Sequence, residues 1–311
     1  MIDIIFALAP VFLCIAIGFA VRRIGFPGEE FWPPLNRVVY YIFYPALLVE
    51  NLATADLGGP ETILPLGLAL VGAQCVMAFV MSLIRRTIRP TGPQYSSMFQ
   101  GTVRWNGFVA IAAIAALYGP DGVTLAAIAL AFMVPVANVL SVYVLAKHAS
   151  GGPVKAQMVV QQLVRNPLLI ACFVGIAINA AGIALPRPVI DTVGVLGDAA
   201  LTMGLLAVGA GLEFEAARKG SRLIGLVCVL KLVVMPVFAF TAMSLAGVTG
   251  LAFLVGMVCA AVPGATSSYI LARQLGGDAP LMAGIITAGT LAAFVTMPVM
   301  LIVVARLVQS A

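Results

Sequence analysis

The stretch of sequence that decides the fold reads Gly101-Thr102-Val103-Arg104-Trp105-Asn106-Gly107-Phe108. The residues around it form a run that is apolar enough to be embedded in a membrane. A guanidinium near the middle of a bilayer is costly, so we expect Arg104 to face a partner or a water-filled cavity. Asn106 and Gly107 are poor helix formers. The stretch therefore predicts a helix interrupted inside the protein, with a cation and an amide beside the interruption, as transporters use to bind a small anion.

The composition of the chain points to the same class of protein. Of its 311 residues, 62% are hydrophobic and 9% are charged, and the mean hydropathy is +1.11. A soluble domain of this length needs many more charges on its surface. Because the apolar runs are long and unbroken, the sequence predicts an all-α polytopic protein of the cell (inner) membrane. The net charge of +5 is concentrated in short loops, so it indicates topology and not nucleic-acid binding.

The reactive side chains predict neither a cofactor nor a metal site. The five cysteines all lie in apolar runs, without CxxC spacing or a neighbouring histidine: Cys14, Cys75, Cys172, Cys228 and Cys259. The single histidine, His148, lies among loop charges, which makes a histidine-based active site improbable. The first segment also lacks the basic start of a cleavable signal peptide and is too long for one.

Ten apolar segments of about 20 residues can each span the hydrocarbon core. They cover roughly 2–21, 33–54, 62–84, 95–118, 122–146, 166–184, 188–212, 221–246, 249–275 and 280–308. Basic residues follow the odd-numbered segments at Arg22, Arg23, Arg85, Arg86, Arg89, Lys147, Lys155, Arg165, Arg218, Lys219, Arg222 and Arg273. The alternate loops carry Asp56, Glu61 and Asp121, with Arg187 as their only cation. Because Lys and Arg mark the cytoplasmic side, we expect ten crossings with both termini on the non-cytoplasmic side.

The number of segments before the central loop predicts an inverted repeat. Five segments in residues 1–150 and five in 160–311 would enter the membrane with opposite polarity, as a 5+5 inverted repeat requires. Pro135 and Pro298 occupy similar places in the last segment of each half. Gly-Pro-Asp at 119–121 and Gly-Gly-Asp at 276–278 precede those segments, although matches this short also arise by chance.

The ninth segment carries a second candidate interruption, at the position equivalent to the fourth. Pro263 removes a backbone donor and Gly264 adds flexibility, and hydroxyls follow at Thr266 and Ser267. One interpretation is a kinked but continuous helix whose freed carbonyls are satisfied by these hydroxyls. The other is a crossing of two broken helices, whose half-helix N-termini present N–H groups and positive dipole ends to a carboxylate.

These features define a predicted substrate site. It comprises Arg104, Asn106, Gly107, Asn138, Pro263, Gly264, Thr266 and Ser267. Two alternatives stay open. Arg104 could instead form an ion pair with a carboxylate on another helix, such as Glu50 or Asp198, and Asn138 could make an interhelical hydrogen bond.

Two further embedded charges require an explanation. Asp198 lies about half-way along the seventh segment, and Lys231 lies about half-way along the eighth. Their similar depth in adjacent segments predicts either a structural ion pair or a coupling site that titrates during transport.

Several stretches resemble the auxin efflux carrier family, in particular its bacterial branch of malonate-carrier-like proteins. They are Tyr44-Pro45-Ala46-Leu47-Leu48, Arg104-Trp105-Asn106-Gly107-Phe108, Asn166-Pro167-Leu168-Leu169, Lys231-Leu232-Val233-Val234-Met235-Pro236, and Ala261-Val262-Pro263-Gly264-Ala265 through Ala272-Arg273-Gln274. The resemblance implies ten helices, with helices four and nine crossing, and a homodimer formed through a scaffold of helices 1, 2, 6 and 7. It also implies that helices 3–5 and 8–10 form a transport domain, which carries organic anions by alternating access.

The chain departs from the family pattern in one place. Many members have a proline a few residues after the asparagine of helix four, whereas this chain reads Val109-Ala110-Ile111-Ala112. We therefore expect the interruption in the fourth segment to be milder, or to be made by Asn106 and Gly107 alone.

The leading functional hypothesis is a secondary transporter of small carboxylates. The alternatives are a cation/proton antiporter, which would need embedded acids near the crossing, and a proton- or sodium-coupled carboxylate symporter of related fold. The sequence offers no catalytic pair or acidic metal motif for a membrane enzyme and no GxxxxGK motif for ATP. A channel or receptor is disfavoured by the interrupted helices.

Overall fold

The computed structural model describes residues 2–55, 60–149, 161, 164–218 and 222–310, and within these ranges it contains helices and no strand. The helices are α1 (Ile2–Arg23), α2 (Trp32–Val38), α3 (Tyr44–Thr54), α4 (Pro60–Ile88), α5 (Gly92–Val103), α6 (Gly107–His148), α7 (Pro167–Ala180), α8 (Arg187–Ala210), α9 (Phe214–Arg218), α10 (Arg222–Val229), α11 (Met235–Leu245), α12 (Gly250–Ala261), α13 (Ser267–Gln274) and α14 (Ala279–Ser310). Most of the predicted central loop lies outside the described residues, as do Asp56, Lys155 and Lys219.

Much of the helical structure has the length and composition of membrane spans. Six stretches of the described chain qualify, namely Asp3–Arg23, Ile63–Ile88, Gly92–His148, Arg187–Ala210, Arg222–Leu245 and Ala279–Leu307. Two shorter helices, Pro167–Ala180 and Gly250–Ala261, are also apolar. The outer surface carries many large exposed hydrophobic side chains, such as Phe6 and Phe173, which suits contact with lipid tails. The described chain is therefore a helical multi-pass membrane protein.

Two prolines widen the helix turn that precedes them. The π turn Val39–Phe43 joins α2 to α3 and ends two residues before Pro45. The π turn Leu230–Val234 joins α10 to α11 and ends two residues before Pro236. Proline cannot donate the backbone hydrogen bond that would close the preceding turn, so the helix takes up an extra residue there. The first π turn carries Tyr40 and the second carries Lys231.

The fourth and fifth predicted segments join at a sharp bend within α6. Gly119 has φ 63° and ψ −158°, a conformation that is open to glycine and strained for other residues. Pro120 follows it and has no N–H to continue the preceding helix. The boundary that the sequence predicts at residues 119–121 is therefore a bend of this kind and not a loop.

The helices pack in two groups on either side of α6. Helix α3 packs against α7 and α8, α8 also packs against α1, and α6 contacts all four of them. On its other side α6 packs against α4, α5 and α12, while α14 packs against α5, α10, α12 and α13. The interruption between α5 and α6 lies where these two groups meet.

Candidate functional site

The helix formed by α5 and α6 is interrupted at Arg104-Trp105-Asn106. Helix α5 ends at Val103, and Arg104 leaves it in an extended conformation with φ −85° and ψ 156°. Asn106 then caps α6, because its Oδ1 accepts hydrogen bonds from the backbone N–H groups of Phe108 (3.1 Å) and Val109 (3.3 Å). The predicted interruption in the fourth segment is thus confirmed, and it forms without the family's proline.

The helix formed by α12 and α13 is interrupted over Val262–Thr266. Val262 leaves α12 in an extended conformation, with φ −70° and ψ 154°, and α13 begins at Ser267. No side chain caps the N-terminus of α13 through a hydrogen bond. This is a true break of the helix and not the kinked continuous helix of the alternative interpretation.

The two interruptions contact each other directly. Asn106 donates its backbone N–H to the carbonyl oxygen of Pro263 at 2.9 Å. Gly264 lies so close to Gly101 that a Cβ on Gly264 would be 3.1 Å from the Gly101 carbonyl oxygen. Each break therefore satisfies part of the other's backbone, which permits non-helical backbone inside the protein.

A cavity of about 70 Å³ opens beside the two interruptions. This is well above the roughly 15 Å³ that one water molecule needs. The residues that line it are Tyr40, Tyr44, Arg104, Trp105, Asn106, Gly107, Phe108, Leu130, Val134, Ala137, Asn138, Asn166, Leu168, Ala265, Thr266 and Ser267. Six of the eight predicted substrate-site residues are among them: Arg104, Asn106, Gly107, Asn138, Thr266 and Ser267. None of the lining residues is acidic.

Arg104 is held by Ser267, the first residue of α13. Its side chain is half-buried, and Nη2 donates a hydrogen bond to the Ser267 hydroxyl oxygen at 3.0 Å. Neither Glu50 nor Asp198 forms an ion pair with it, so the alternative in which Arg104 pairs with one of these carboxylates is not realised. Other N–H groups of the guanidinium therefore remain available to donate hydrogen bonds to a bound anion.

Asn106 has both a structural role and a free donor. Its Oδ1 is occupied by the cap of α6, whereas its Nδ2 is buried and has no hydrogen-bond partner. Pro263 and Gly264 differ from the prediction because they do not line the cavity. Their backbone contacts the first interruption instead, so their part in the site is to hold the two breaks together.

Three polar residues of the cavity were missed by the sequence reasoning. The Tyr40 hydroxyl donates to Asn166 Oδ1 at 3.4 Å, and Asn166 caps α7 by accepting from Leu168 N–H at 3.0 Å. The Tyr44 hydroxyl is buried without a hydrogen-bond partner. Asn166 shares with Asn106 the position just before a helix that begins with Pro or Gly, and that pattern was a signal in the sequence.

The predicted ion pair between Asp198 and Lys231 is not formed. Asp198 is exposed on α8 and its electrostatic neighbour is Glu50 of α3. Lys231 is buried, and its Nζ has no hydrogen-bond partner. The reason is that α8 packs against α1 and α3, whereas the π turn of Lys231 packs against α5, α12 and α14, so segments adjacent in sequence are not neighbours in space.

The chemistry of the cavity suits a small anion. Arg104 and Asn106, whose buried Nδ2 has no hydrogen-bond partner, line it together with four hydroxyl-bearing residues: Tyr40, Tyr44, Thr266 and Ser267. Trp105 and Phe108 form part of its wall. Helices α6 and α13 both begin at the cavity, so their positive dipole ends face it. Such a set of donors binds a carboxylate and lacks the acidic ligands that a metal cation needs.

Comparison with known proteins relates the chain to membrane transporters. A family model described as "Membrane transport protein" matches residues 3–301. An "Uncharacterized transporter" of Methanothermobacter thermautotrophicus is 26% identical, over 93% of this chain and 94% of its own length. A "Putative malonate transporter" of Rhizobium meliloti is 26% identical, over 86% of this chain and 85% of its own length.

Both relatives are named as transporters, so the interpretation of the chain as a transporter and not an enzyme is confirmed. The family match covers nearly the whole chain and includes both interruptions. The chain thus belongs to the membrane transport protein family of the auxin efflux carriers, the family that its sequence resembles.

Proposed function

We propose that the protein is a secondary transporter that moves small organic anions, mono- or dicarboxylates of the malonate or auxin type, across the cell membrane by alternating access. The observation that carries this proposal is the position of Arg104. Its guanidinium faces a cavity at the contact of two interrupted helices and has a hydroxyl partner but no carboxylate partner. A substrate carboxylate would provide that missing negative charge.

The donors around Arg104 suggest how the anion is bound. The guanidinium would hold one carboxylate through two parallel hydrogen bonds, and the free Nδ2 of Asn106 would add a third. The hydroxyls of Thr266 and Ser267 would complete the shell, at the positive dipole end of α13. Gly107 and Asn138 would shape the opposite wall.

The proposal includes ten crossings in a 5+5 inverted repeat, with both termini on the non-cytoplasmic side. It is supported by equivalent interruptions in the fourth and ninth segments and by the alternation of basic loops. A scaffold of helices 1, 2, 6 and 7 would correspond to α1, α3, α7 and α8, in which α3 packs on α7 and α8, and α8 packs on α1. Residues 1–150 and 160–311 would be the two repeats, and the scaffold would form the homodimer that the family resemblance implies.

The cation/proton antiporter alternative has less support. Such a protein needs acids beside the crossing, but Asp198 is exposed on α8 beside Glu50 and does not line the cavity. A coupled carboxylate symporter stays compatible with the site, because it needs the same anion-binding donors.

The test is a thermal-shift measurement on the purified protein with a panel of mono- and dicarboxylates that includes malonate. A ligand that binds the native state raises the melting temperature. We expect a shift with the wild-type protein and with Arg273→Gln, which removes an exposed cation from α13. We expect no shift with Arg104→Gln, and at least about tenfold weaker binding with Arg104→Lys, because an ammonium lacks the planar fork.

The melting temperature without ligand separates binding from folding. Arg104→Gln should melt near the wild-type temperature, since its guanidinium makes a single hydrogen bond to protein. A well-folded Arg104→Gln protein that keeps the full ligand shift would show that Arg104 is not the anchor.

A further inference from the structure

Lys231 has a buried amine that is not among the groups proposed to contact the anion in the cavity. Its side chain is 2% exposed, and its Nζ has no hydrogen-bond partner. An ammonium in such a place is strongly disfavoured unless a counter-ion or hydrogen-bond acceptors are present. The arrangement therefore favours a neutral amine in this conformation, with an unused lone pair.

The elements packed around Lys231 provide no counter-ion. Helix α12 contributes the Cys259 thiol, which is its electrostatic neighbour. The titratable residue of α5 is Tyr95, whose ring contacts Arg85 and His148 instead. The only charged residue of α14 is Arg306, close to its far end.

The helix that carries Lys231 holds no acid either. Its other titratable side chains, Arg222 and Cys228 in α10, do not provide a negative partner for an ammonium. Together, the described elements that pack on the π turn leave the amine without a carboxylate.

The neighbours of Lys231 and of Val227, one turn before it, lie close to the two interruptions. Lys231 is an electrostatic neighbour of Cys259, which lies three residues before Val262, where the second interruption begins. One turn before Lys231, Val227 packs against Gly101, three residues before Arg104.

Lys231 does not line the cavity, so it approaches the interruptions from another direction. The carboxyl ends of α5 and α12 stop at this level, where the last carbonyls of each helix have no intrahelical donors and carry the negative end of the dipole. A positive charge on Lys231 would be favoured there, and more so when an anion occupies the nearby cavity.

We propose that Lys231 is the proton-coupling residue of the transporter: its neutral amine takes up one proton when a carboxylate binds beside Arg104, and releases it when the carboxylate leaves. The proton comes from water and adds to the nitrogen lone pair, so no other bond changes. This inference rests on the proposed function, since it needs an anion in the cavity. By linkage, an anion that promotes protonation binds more tightly when the amine is protonated.

The experiment is calorimetric titration of malonate into the purified protein at about pH 7.5, where carboxylic acids are ionised. Repeating it in buffers of different ionisation enthalpy gives the number of protons taken up per bound malonate. We expect uptake of up to about one proton for the wild-type protein and none for Lys231→Met, which should still bind malonate, though more weakly. Lys231→Gln, which keeps a polar side chain, is the second variant should Lys231→Met fold poorly.

Two controls identify the source of the proton. Arg222→Met removes an exposed charge at the start of α10, and Cys259→Ala removes the titratable neighbour, and both should keep the wild-type uptake. Malonate binding without proton uptake in the wild-type protein would overturn this inference alone, as would uptake that persists in the Lys231 variants. If the wild-type protein binds neither malonate nor any other acid of the thermal-shift panel, the proposed function is overturned, and this inference with it.

Discussion

The two interrupted helices reach the same outcome by different means. Between α5 and α6 three residues leave the helix, and Asn106 caps the helix that follows. Between α12 and α13 five residues leave it, Pro263 is among them, and the following helix has no side-chain cap. The first interruption contains the charge of Arg104, whereas the second contains the Thr266 hydroxyl and is followed directly by that of Ser267.

The difference shows what an interruption inside a membrane protein requires. The first break has no proline, yet it is complete, because the Asn106 N–H is bonded to Pro263 and the Asn106 side chain accepts from α6. Backbone groups that leave a helix must find other partners, and a break forms where those partners exist. The milder interruption expected from the missing proline is therefore not observed.

The comparison also shows which groups each interruption contributes to the candidate site. The first interruption provides the guanidinium and uses its own side chain to cap α6, so part of that helix's N-terminus is occupied. The second leaves the N-terminus of α13 uncapped and anchors Arg104 through Ser267. The backbone N–H groups of Ser268 and Tyr269 donate to the carbonyl oxygens of Ala265 and Thr266 instead. We infer that the charge comes from one half of the chain and the hydroxyls come from the other.

The contact between the two interruptions can be broken at Gly264. A Cβ there would lie 3.1 Å from the Gly101 carbonyl oxygen and 3.6 Å from its Cα, both of them backbone atoms that cannot rotate away. We expect Gly264→Ala to lower the stability by about 1–3 kcal/mol. The measurement is thermal unfolding of the purified protein.

Gly72→Ala in α4 is the matched control for this substitution. Its Cβ would meet no atom within 4 Å, and alanine favours a helix over glycine by about 1 kcal/mol. Its melting temperature should equal or exceed that of the wild-type protein. If Gly264→Ala and Gly72→Ala have the same melting temperature, the two interruptions are not held in close contact.

The sequence was sufficient to predict the helical segments and most residues of the candidate site. Hydropathy located the membrane segments, and poor helix formers located both interruptions, because both depend on local chemistry. The cluster of Arg104 with Ser267 followed from placing the two interruptions at equivalent points in the two halves. That step needed no knowledge of how the other helices pack.

What the sequence could not provide was the set of neighbours of each helix. Asp198 and Lys231 have similar depths along adjacent segments, but depth does not tell which helices touch. Tyr40 and Tyr44 line the cavity, yet an aromatic residue in an apolar segment carries no sign of which way it faces. Pro263 was expected to bind substrate, whereas its carbonyl oxygen accepts from the other interruption.

Because only the first interruption has a side-chain cap, substitutions at the two N-cap positions should lower the stability by different amounts. Asn106→Ala removes the acceptor of two backbone N–H groups and should cost about 0.5–2 kcal/mol of stability. Thr266→Ala should change the stability much less, because Thr266 makes no such hydrogen bond. Thermal unfolding of both variants tests the difference.

Two further variants check the physical basis of that prediction. Asn106→Ser keeps an acceptor suited to an N-cap and should recover part of the lost stability. Asn166→Ala removes the equivalent cap of α7 and should cost about as much as Asn106→Ala. Equal melting temperatures for Asn106→Ala and Thr266→Ala would contradict the idea that only one of the two interruptions is capped.

The smallest effect that we expect separates two ways in which the second interruption can serve the anion. Ser267→Ala removes one hydrogen bond to Arg104 Nη2, which in a cavity open to water is worth about 1 kcal/mol, or roughly fivefold in malonate affinity. The matched control is Ser268→Ala on the same helix, because the Ser268 hydroxyl is buried and has no hydrogen-bond partner. Its malonate affinity, measured by the same titration, should equal that of the wild-type protein. If Ser267→Ala also binds with wild-type affinity, the hydroxyl does not position the guanidinium. In that case the second interruption contributes to the site only through its backbone.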